Sequence, residues 1–381
     1  MSTTVTLEAK GGDPSSAVRD FLRLLLERGG VSAVLVPRHV NGTGVIMPTL
    51  VADPEELAKA DPLAPAFPLS AARLTAKLTR GEPGGLLAAV LRPCEIRAFV
   101  ELVKLNQGSM DGILLIAADC PGAFDNDGWR DFAAGKDPMA ITQEFLAEAL
   151  AGKPDPGGVE MARACLACEH PSTEVADISL GLYGMDVNKA VLGVFNTPKA
   201  EGVLSRLGLS EGGDNEARKK ALAEVVAARE AYRDNMFAET TEATNSLHKL
   251  ADYLSACVNC YNCRVACPVC YCRECVFVTD VFDHKPWQYM GWAKARGALR
   301  MPPDTVFYHL TRLAHMSTLC VGCGQCSNAC PNGVPVMELF RMTAARTQPA
   351  FAYEAGRDPD EKPPMSIFRE KEFAEMTGGH D

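Results

Sequence analysis

Gly85-Leu-Leu-Ala-Ala-Val-Leu91, Pro93-Cys-Glu-Ile-Arg-Ala-Phe-Val-Glu-Leu-Val-Lys-Leu105 and Gly112-Ile-Leu-Leu-Ile-Ala117 read in order as strand, helix and strand. A β-α-β order of this kind predicts an α/β fold with a mostly parallel sheet. Cys94 and Cys120 follow directly on two of these predicted strands. Ligands and cofactors gather at the carboxyl ends of such strands, so position alone makes both cysteines candidates.

Working outward, Val18, Phe21, Leu22, Leu25 and Leu26 recur at helical spacing within 16–28, with Gly29-Gly30 as the stop. Strands are expected at 31–36 and 44–51, a helix start at Asp53-Pro54-Glu55-Glu56, and a further helix at 70–78. Residues 121–160, rich in Gly, Asp and Pro, read as a surface excursion around a helix at 141–151. Two more strands are expected at 176–182 and 189–195. Beyond them helix formers dominate 215–235 and 246–256, and helices are predicted at 287–299, 304–316 and 334–346, with Trp287, Tyr289 and Trp292 in the core. The polar, proline-containing tail should wrap around the chain itself or a neighbour. The expected divisions are an α/β domain at 1–210, a helical linker at 211–245, a small helical domain at 246–346 and a tail at 347–381.

That helical domain carries Cys257-Val-Asn-Cys260-Tyr-Asn-Cys263-Arg-Val-Ala-Cys267-Pro268, answered by Cys320-Val-Gly-Cys323-Gly-Gln-Cys326-Ser-Asn-Ala-Cys330-Pro331. Three cysteines two residues apart let one tight loop set three thiolates around a 4Fe-4S cube, and the fourth, before proline, usually reaches the other cube. Zinc prefers two separated CxxC pairs, and a disulfide framework wants a small secreted chain. About fifty residues between motifs, with helices leading into each, favour an α-helical two-cluster domain over the compact ferredoxin. Cys270, Cys272 and Cys275 are left over: they ligate a further cluster, replace a ligand of the first motif, or stay free thiols beside it.

The chain has 381 residues with 48 Asp and Glu against 38 Lys and Arg, a net charge of −10. That balance, without any Lys/Arg block, argues against nucleic acid and for redox partners. The first residues lack a basic region followed by an apolar core, and no apolar run is long enough to span a bilayer, so fifteen cysteines in ligand-like spacing imply the cytoplasm. None of the seven histidines has metal-ligand spacing, and there is no Ser-His-Asp set or Walker loop.

Leu91-Arg-Pro-Cys94-Glu-Ile96, Asp119-Cys120-Pro-Gly122 and Cys165-Leu-Ala-Cys168, followed by Ala176-Asp-Ile-Ser-Leu-Gly181, resemble in this order the β-subunit family of coenzyme F420-reducing hydrogenases and formate dehydrogenases. The resemblance runs over about 14–210 and is extended by the C-terminal motifs. It implies a domain that holds FAD beside one 4Fe-4S cluster ligated by Cys94, Cys120, Cys165 and Cys168. The chain would then hold three clusters, or four if Cys270, Cys272 and Cys275 serve another. Where the family has a Ser-Gly-Gly loop, this chain has Asp13-Pro14-Ser15-Ser16, whose helix N-terminus still suits a phosphate. Ser15, Ser16, Ser70, Asp177, Ser179 and Asn196-Thr197 are the flavin-proximal candidates, with Arg38 and Arg92 for a deazaflavin.

The implied role is an oxidoreductase subunit passing electrons between a soluble two-electron carrier (a deazaflavin or NAD(P)) and a partner subunit of formate dehydrogenase, hydrogenase or heterodisulfide-reductase type. The alternative is an adapter with no soluble substrate of its own.

Overall fold

The computed structural model describes residues 2–40, 44–81, 84–138, 140–272, 274–282, 285–297 and 304–367. The first part of the chain runs β1 (Thr3–Glu8), α1 (Pro14–Glu27), β2 (Val31–His39), β3 (Ile46–Val51), α2 (Ala72–Leu78), β4 (Leu86–Leu91) and α3 (Pro93–Lys104). It continues with β5 (Ile113–Ala118), α4 (Asn126–Ala133), α5 (Ile141–Ala149), α6 (Arg163–Leu166), β6 (Ile178–Gly181), β7 (Ala190–Phe195) and α7 (Pro198–Leu207). The helical part comprises α8 (Glu216–Thr244), α9 (Leu247–Tyr253), α10 (Asn262–Ala266), α11 (Pro286–Arg296), α12 (Asp304–Met316), α13 (Gln325–Asn328) and α14 (Val336–Ala350). The end of the helix expected at 287–299 lies outside the described residues, as does the last part of the tail.

The seven strands form one sheet in the order β1-β7-β6-β5-β4-β2-β3. Its centre is the expected parallel set β2, β4, β5 and β6, while β3 returns antiparallel at one edge and β7 and β1 at the other. The Asp53-Pro54 start gives only a short 3-10 turn, Pro54–Lys59, in place of a longer helix. β1 was not anticipated, although Val5 and Leu7 alternate with threonines and bury against β7.

Side-chain alternation assigns the two faces of the sheet. Val34, Val36, Ala88, Val90, Leu114 and Ile116 face a core closed by α1, α5 and α7. Residues 121–160 are no surface excursion: Phe124, Phe132 and Phe145 interlock at 4.6–6.3 Å between ring centroids and belong to this same core. Three aromatics diluted among Gly, Asp and Pro leave no periodicity to read. On the opposite face Leu35, Ala89, Leu91 and Leu115 meet α3, and that core continues without a break through Leu313, Leu339 and Phe340 of the helical part. Trp287, expected inside, is 69% exposed.

The tail wraps back on its own chain. Tyr353 Oη and the Gly356 N–H donate to the two carboxylate oxygens of Glu101 on α3, each at 2.6 Å, and Arg97 donates to the Ala355 carbonyl at 2.8 Å. Gly356 has φ +78°, and a Cβ there would stand 2.5 Å from Arg97 Cα, so only glycine passes.

Candidate iron–sulfur centres and an adjoining cavity

Both cysteine motifs use one backbone device. The second motif takes the left-handed conformation at Gly322 (φ 71°) and Gly324 (φ 79°), and the first does so at the corresponding Asn259 (φ 51°) and Tyr261 (φ 60°). Those turns aim three successive cysteines inward. Non-glycine residues pay for this conformation with roughly 1–2 kcal/mol of steric energy, so the first loop is the more strained. Asn259 accepts from Thr305 Oγ1 at 2.9 Å and Tyr261 stacks edge-on against Tyr308 at 4.9 Å, which hold it there.

A small cavity is lined by Cys257, Cys260, Cys263 and Cys330, three thiols from the first motif and the last of the second. Tyr308 Oη lies 3.4 Å from Cys263 Sγ, His309 Nε2 lies 3.4 Å from Cys257 Sγ, and Arg312 Nη1 donates to Cys263 Sγ at 3.1 Å. Four soft donors around one volume, ringed by hydrogen-bonding groups, fit a 4Fe-4S cube. Cys267 is neighboured instead by Cys320, Cys323 and Cys326: its charge acts on all three. Burial raises the Cys326 thiol well above its ordinary range, and raises Cys320 to about 11. Bare thiolates are therefore penalised in this second set, and iron has to displace the protons.

Cys94 opens α3 behind β4, Cys120 follows β5, and Cys165 and Cys168 flank the end of α6. The structure brings all four together. Burial raises the Cys94 thiol well above its ordinary range, and Cys323, Glu95, Cys120 and Cys168 add to the effect; burial, Cys120 and Cys168 likewise push Cys165 to about 12. Gly122 makes the approach possible, since a Cβ there would meet Met161 Sδ at 2.6 Å and Cys165 Cβ at 3.4 Å. Three guanidinium groups that sequence reading did not find surround this set. Arg229 donates to the Cys120 and Pro121 carbonyls (3.1 and 2.7 Å), while the charges of Arg97 and Arg341 couple to Cys168. They come from α8, α3 and α14, far apart in the chain, so no spacing signals them. A cationic surround of this kind fits a thiolate-ligated cube.

Cys323 is the first charged neighbour of Cys94, and a Cβ on Gly324 would meet Ala164 Cβ at 2.5 Å, so the second motif's loop rests on the N-terminal set. Gln325 Nε2 and Asn328 Nδ2 both donate to the Phe67 carbonyl (2.9 and 3.0 Å), fixing the contact. The three cysteine sets thus stand in series: Cys94/120/165/168, then Cys267/320/323/326, then Cys257/260/263/330 with Cys260 exposed. Among the described residues no three His, Cys, Asp or Glu side chains converge on a single-ion site. Cys270, Cys272 and Cys275 do not gather either: Cys275 packs beside Phe277 and Tyr308, whereas Cys270 and Cys272 face a separate cleft.

Crossed ligation has a direct test. Cys330→Ala is expected to remove the paramagnetic signal of the cube held by the first motif and about a third of the iron, leaving the second motif's cube intact; loss of the second motif's cube instead would refute the pairing.

A narrow cavity of about 30 Å³ opens at the carboxyl ends of β4 and β5, between Pro37, Leu63, Arg92, Cys120 and Leu182. None of the seven flavin candidates lines it. The N-terminus of α1 is capped by Asp13, which accepts from the Ser15 N–H at 2.9 Å; Ser15 Oγ donates to buried Asp61 at 3.1 Å, and Ser16 Oγ donates to the Asp13 carbonyl at 2.6 Å. An anion would meet two carboxylates there. Ser70 precedes α2 and accepts from the Ala72 N–H. Asp177 accepts from Leu115 N–H (2.9 Å), Thr197 Oγ1 (2.6 Å) and Lys199 Nζ (3.2 Å), and Ser179 accepts from Asn196 Nδ2 (3.0 Å). This clasp ties strands at the amino end of β5 and β6, away from Cys120. Arg38 pairs with Glu56, and Arg92 donates to the Ala64 and Ala66 carbonyls at 2.6 Å each. Of all these, only Arg92 borders the cavity.

Residues 253–334 match the family described as a 4Fe-4S dicluster domain. The chain is similar to the F420-dependent formate dehydrogenase subunit beta of Methanocaldococcus jannaschii, with 23% identity covering 93% of this chain and 94% of the relative. It is also similar to the F420-dependent formate dehydrogenase 1 subunit beta of Methanococcus maripaludis, with 24% identity and 93% of each chain covered. A chain of the F420-reducing NiFe hydrogenase complex from Methanosarcina barkeri superposes with a TM-score of 0.46 at 12% identity, over 65% of this chain and 94% of that one. The resemblance carried by the cysteine turns is therefore borne out along nearly the whole length.

Proposed function

We propose that this chain, a relative of F420-dependent formate dehydrogenase β subunits over 93% of its length, is an electron-transferring iron–sulfur flavoprotein subunit of such an oxidoreductase. The observation that carries the reading is the series of three cysteine sets leading from the cavity at Cys120 to exposed Cys260. When bound, 4Fe-4S cubes supply single-electron steps and FAD couples them to a two-electron exchange with a deazaflavin or NAD(P).

The chain's own residues supply the rest. Cys94, Cys120, Cys165 and Cys168 hold the cube nearest the cavity, within a ring of Arg97, Arg229 and Arg341. Cys267, Cys320, Cys323 and Cys326 hold the middle one, and Cys257, Cys260, Cys263 and Cys330 the outer. Pro37, Leu63 and Leu182, with Arg92 at the side, line the narrow cavity beside Cys120 that we assign to the flavin's edge. The outer set faces a partner subunit of formate dehydrogenase, hydrogenase or heterodisulfide-reductase type. Among the described residues no helix is long and apolar enough to cross a membrane, and all fifteen cysteines are unpaired, which fits the cytoplasm.

The test is reconstitution of the full chain with iron, sulfide and FAD, followed by measurement of deazaflavin reduction from an artificial one-electron donor. Reduction is expected. Leu63→Trp, which fills the cavity, should cost most of the bound flavin and leave iron content unchanged; a wild-type flavin content in that variant would exclude this cavity. Bound flavin with no soluble acceptor would favour an adapter role.

A further inference from the structure

We propose that the cleft between α2 and the segment after the first cysteine motif is a binding site for a small organic anion carrying phosphate. The cleft, open to solvent, has a volume of about 340 Å³, and among the described residues its charged lining is Arg73, Lys77, Arg80 and Arg264, with no carboxylate; Cys270 and Cys272 form part of its wall. In a chain of net charge −10 this is an uneven distribution.

Arg73, Lys77 and Arg80 follow one another at i, i+4 and i+7, so they project from one face of α2 and its C-terminal turn. Like charges at that spacing destabilise a helix. Among the described residues none of the four cations has a carboxylate partner. What holds them is neutral: Arg73 Nη1 donates to the Val265 carbonyl at 3.0 Å, and Arg80 Nε donates to the Gln107 carbonyl at 2.9 Å. Arg264 Nε is buried without a hydrogen-bond acceptor. Four positive charges face one concave volume, two of them held there by backbone carbonyls and none paired with a carboxylate among the described residues, and a bound anion stabilises such a cluster. At about 340 Å³ the cleft lies at the lower end of the roughly 300–1,000 Å³ range of small-ligand sites, and guanidinium forks match phosphate oxygens two at a time, which favours a small phosphorylated molecule over a protein surface.

The site adjoins the electron path. The Cys270 N–H donates to the Cys267 carbonyl at 3.3 Å, so the cleft wall is one turn from a ligand of the middle set. Negative charge bound there disfavours an added electron on that cube.

Pyrophosphate, titrated into the reconstituted full chain and followed by calorimetry at low salt, is expected to bind saturably at one site per chain. The double variant Lys77→Gln/Arg80→Gln alters two exposed side chains outside the cysteine sets and should weaken that binding at least tenfold with unchanged iron content. Lys189→Gln, on an exposed ion pair elsewhere, should leave it unaltered. Citrate, a carboxylate of similar charge, should bind at least tenfold more weakly than pyrophosphate, and saturation with pyrophosphate should shift the middle cube's midpoint to a more negative potential. No saturable binding, equal affinity in the double variant, or citrate binding as tight as pyrophosphate each overturns the proposal. The binding measurements do not depend on any electron-transfer activity, so their failure is distinct from failure of the flavin and cluster reading.

Discussion

Arg312→Gln is expected to lower the reduction potential of the cube held by Cys257, Cys260, Cys263 and Cys330 by about 60 mV or more. Arg312 is only 4% exposed, and it donates through Nη1 to Cys263 Sγ at 3.1 Å and through Nη2 to the Cys263 carbonyl at 3.2 Å. Its guanidinium lies 4.6 Å from the Phe340 ring centroid and 5.5 Å from that of Tyr308, which exclude water from the charge. Burial alone would ease its proton off, but the charges of Cys263, Tyr308, Cys267 and Cys326 outweigh that and keep it cationic. Adding an electron makes a cube more negative, so a fixed cation favours the reduced state, and removing it lowers the potential. A charge-assisted hydrogen bond is worth about 1.5–3 kcal/mol, and a 1.4 kcal/mol difference between redox states is ~59 mV for one electron.

Because the charge also reaches Cys267 and Cys326, the middle cube should move in the same direction by less. Arg312→Lys keeps the charge and should restore most of the shift. Redox titration monitored by electron paramagnetic resonance reads both cubes. Unchanged potentials in an Arg312→Gln protein with full iron content would show that Arg312 only packs.

Glu101→Ala should destabilise the chain by about 3–5 kcal/mol, the usual cost of leaving buried charge and donors unpaired. Glu101 is fully buried and accepts from Lys104 Nζ at 2.9 Å, Tyr353 Oη at 2.6 Å and the Gly356 N–H at 2.6 Å. Lys104 is equally enclosed, under the Tyr353 ring at 4.5 Å. One substitution therefore takes the acceptor from a phenol O–H and a backbone amide and the nearest carboxylate from Lys104, which keeps only the Tyr353 hydroxyl at 2.8 Å and Glu361 at 3.8 Å. Those groups join α3 to the tail beyond α14, so the helical part should loosen from the sheet. Urea unfolding of the reconstituted chain would record the loss as a lower midpoint, with release of iron from the middle set, whose loop rests on the same face. A midpoint within error of wild type would mean that the tail is dispensable for holding the two parts together.

The parallel strands and their following helices were legible because a buried strand is a short apolar run and a helix has its own period, both local properties. β4, α3 and β5 lie within a residue of where those patterns end. The C-terminal cysteine motifs were legible for the same reason: three ligands two residues apart have to share one loop. Some of the fold's misreadings were cases where local composition pointed away from a long-range contact. Phe124, Phe132 and Phe145 sit in loop-like sequence yet close a core, and Asp177 and Thr197, polar beside a strand, serve a strand clasp.

By itself the sequence determined that this chain is an α/β protein with a helical two-cluster extension, and it proposed eight cysteines as that extension's ligands. It also pointed through family resemblance to the set at Cys94, Cys120, Cys165 and Cys168. Only the tertiary structure decided that this set touches the second motif rather than the first, that Arg97, Arg229 and Arg341 surround it, and that Arg312 reaches the sulfur of Cys263. The reason is physical: ligand spacing is imposed within one turn of backbone, whereas the charges and donors that tune a buried sulfur come from other helices brought together by packing, as Arg312 reaches Cys263 and Arg229 reaches the Cys120 carbonyl.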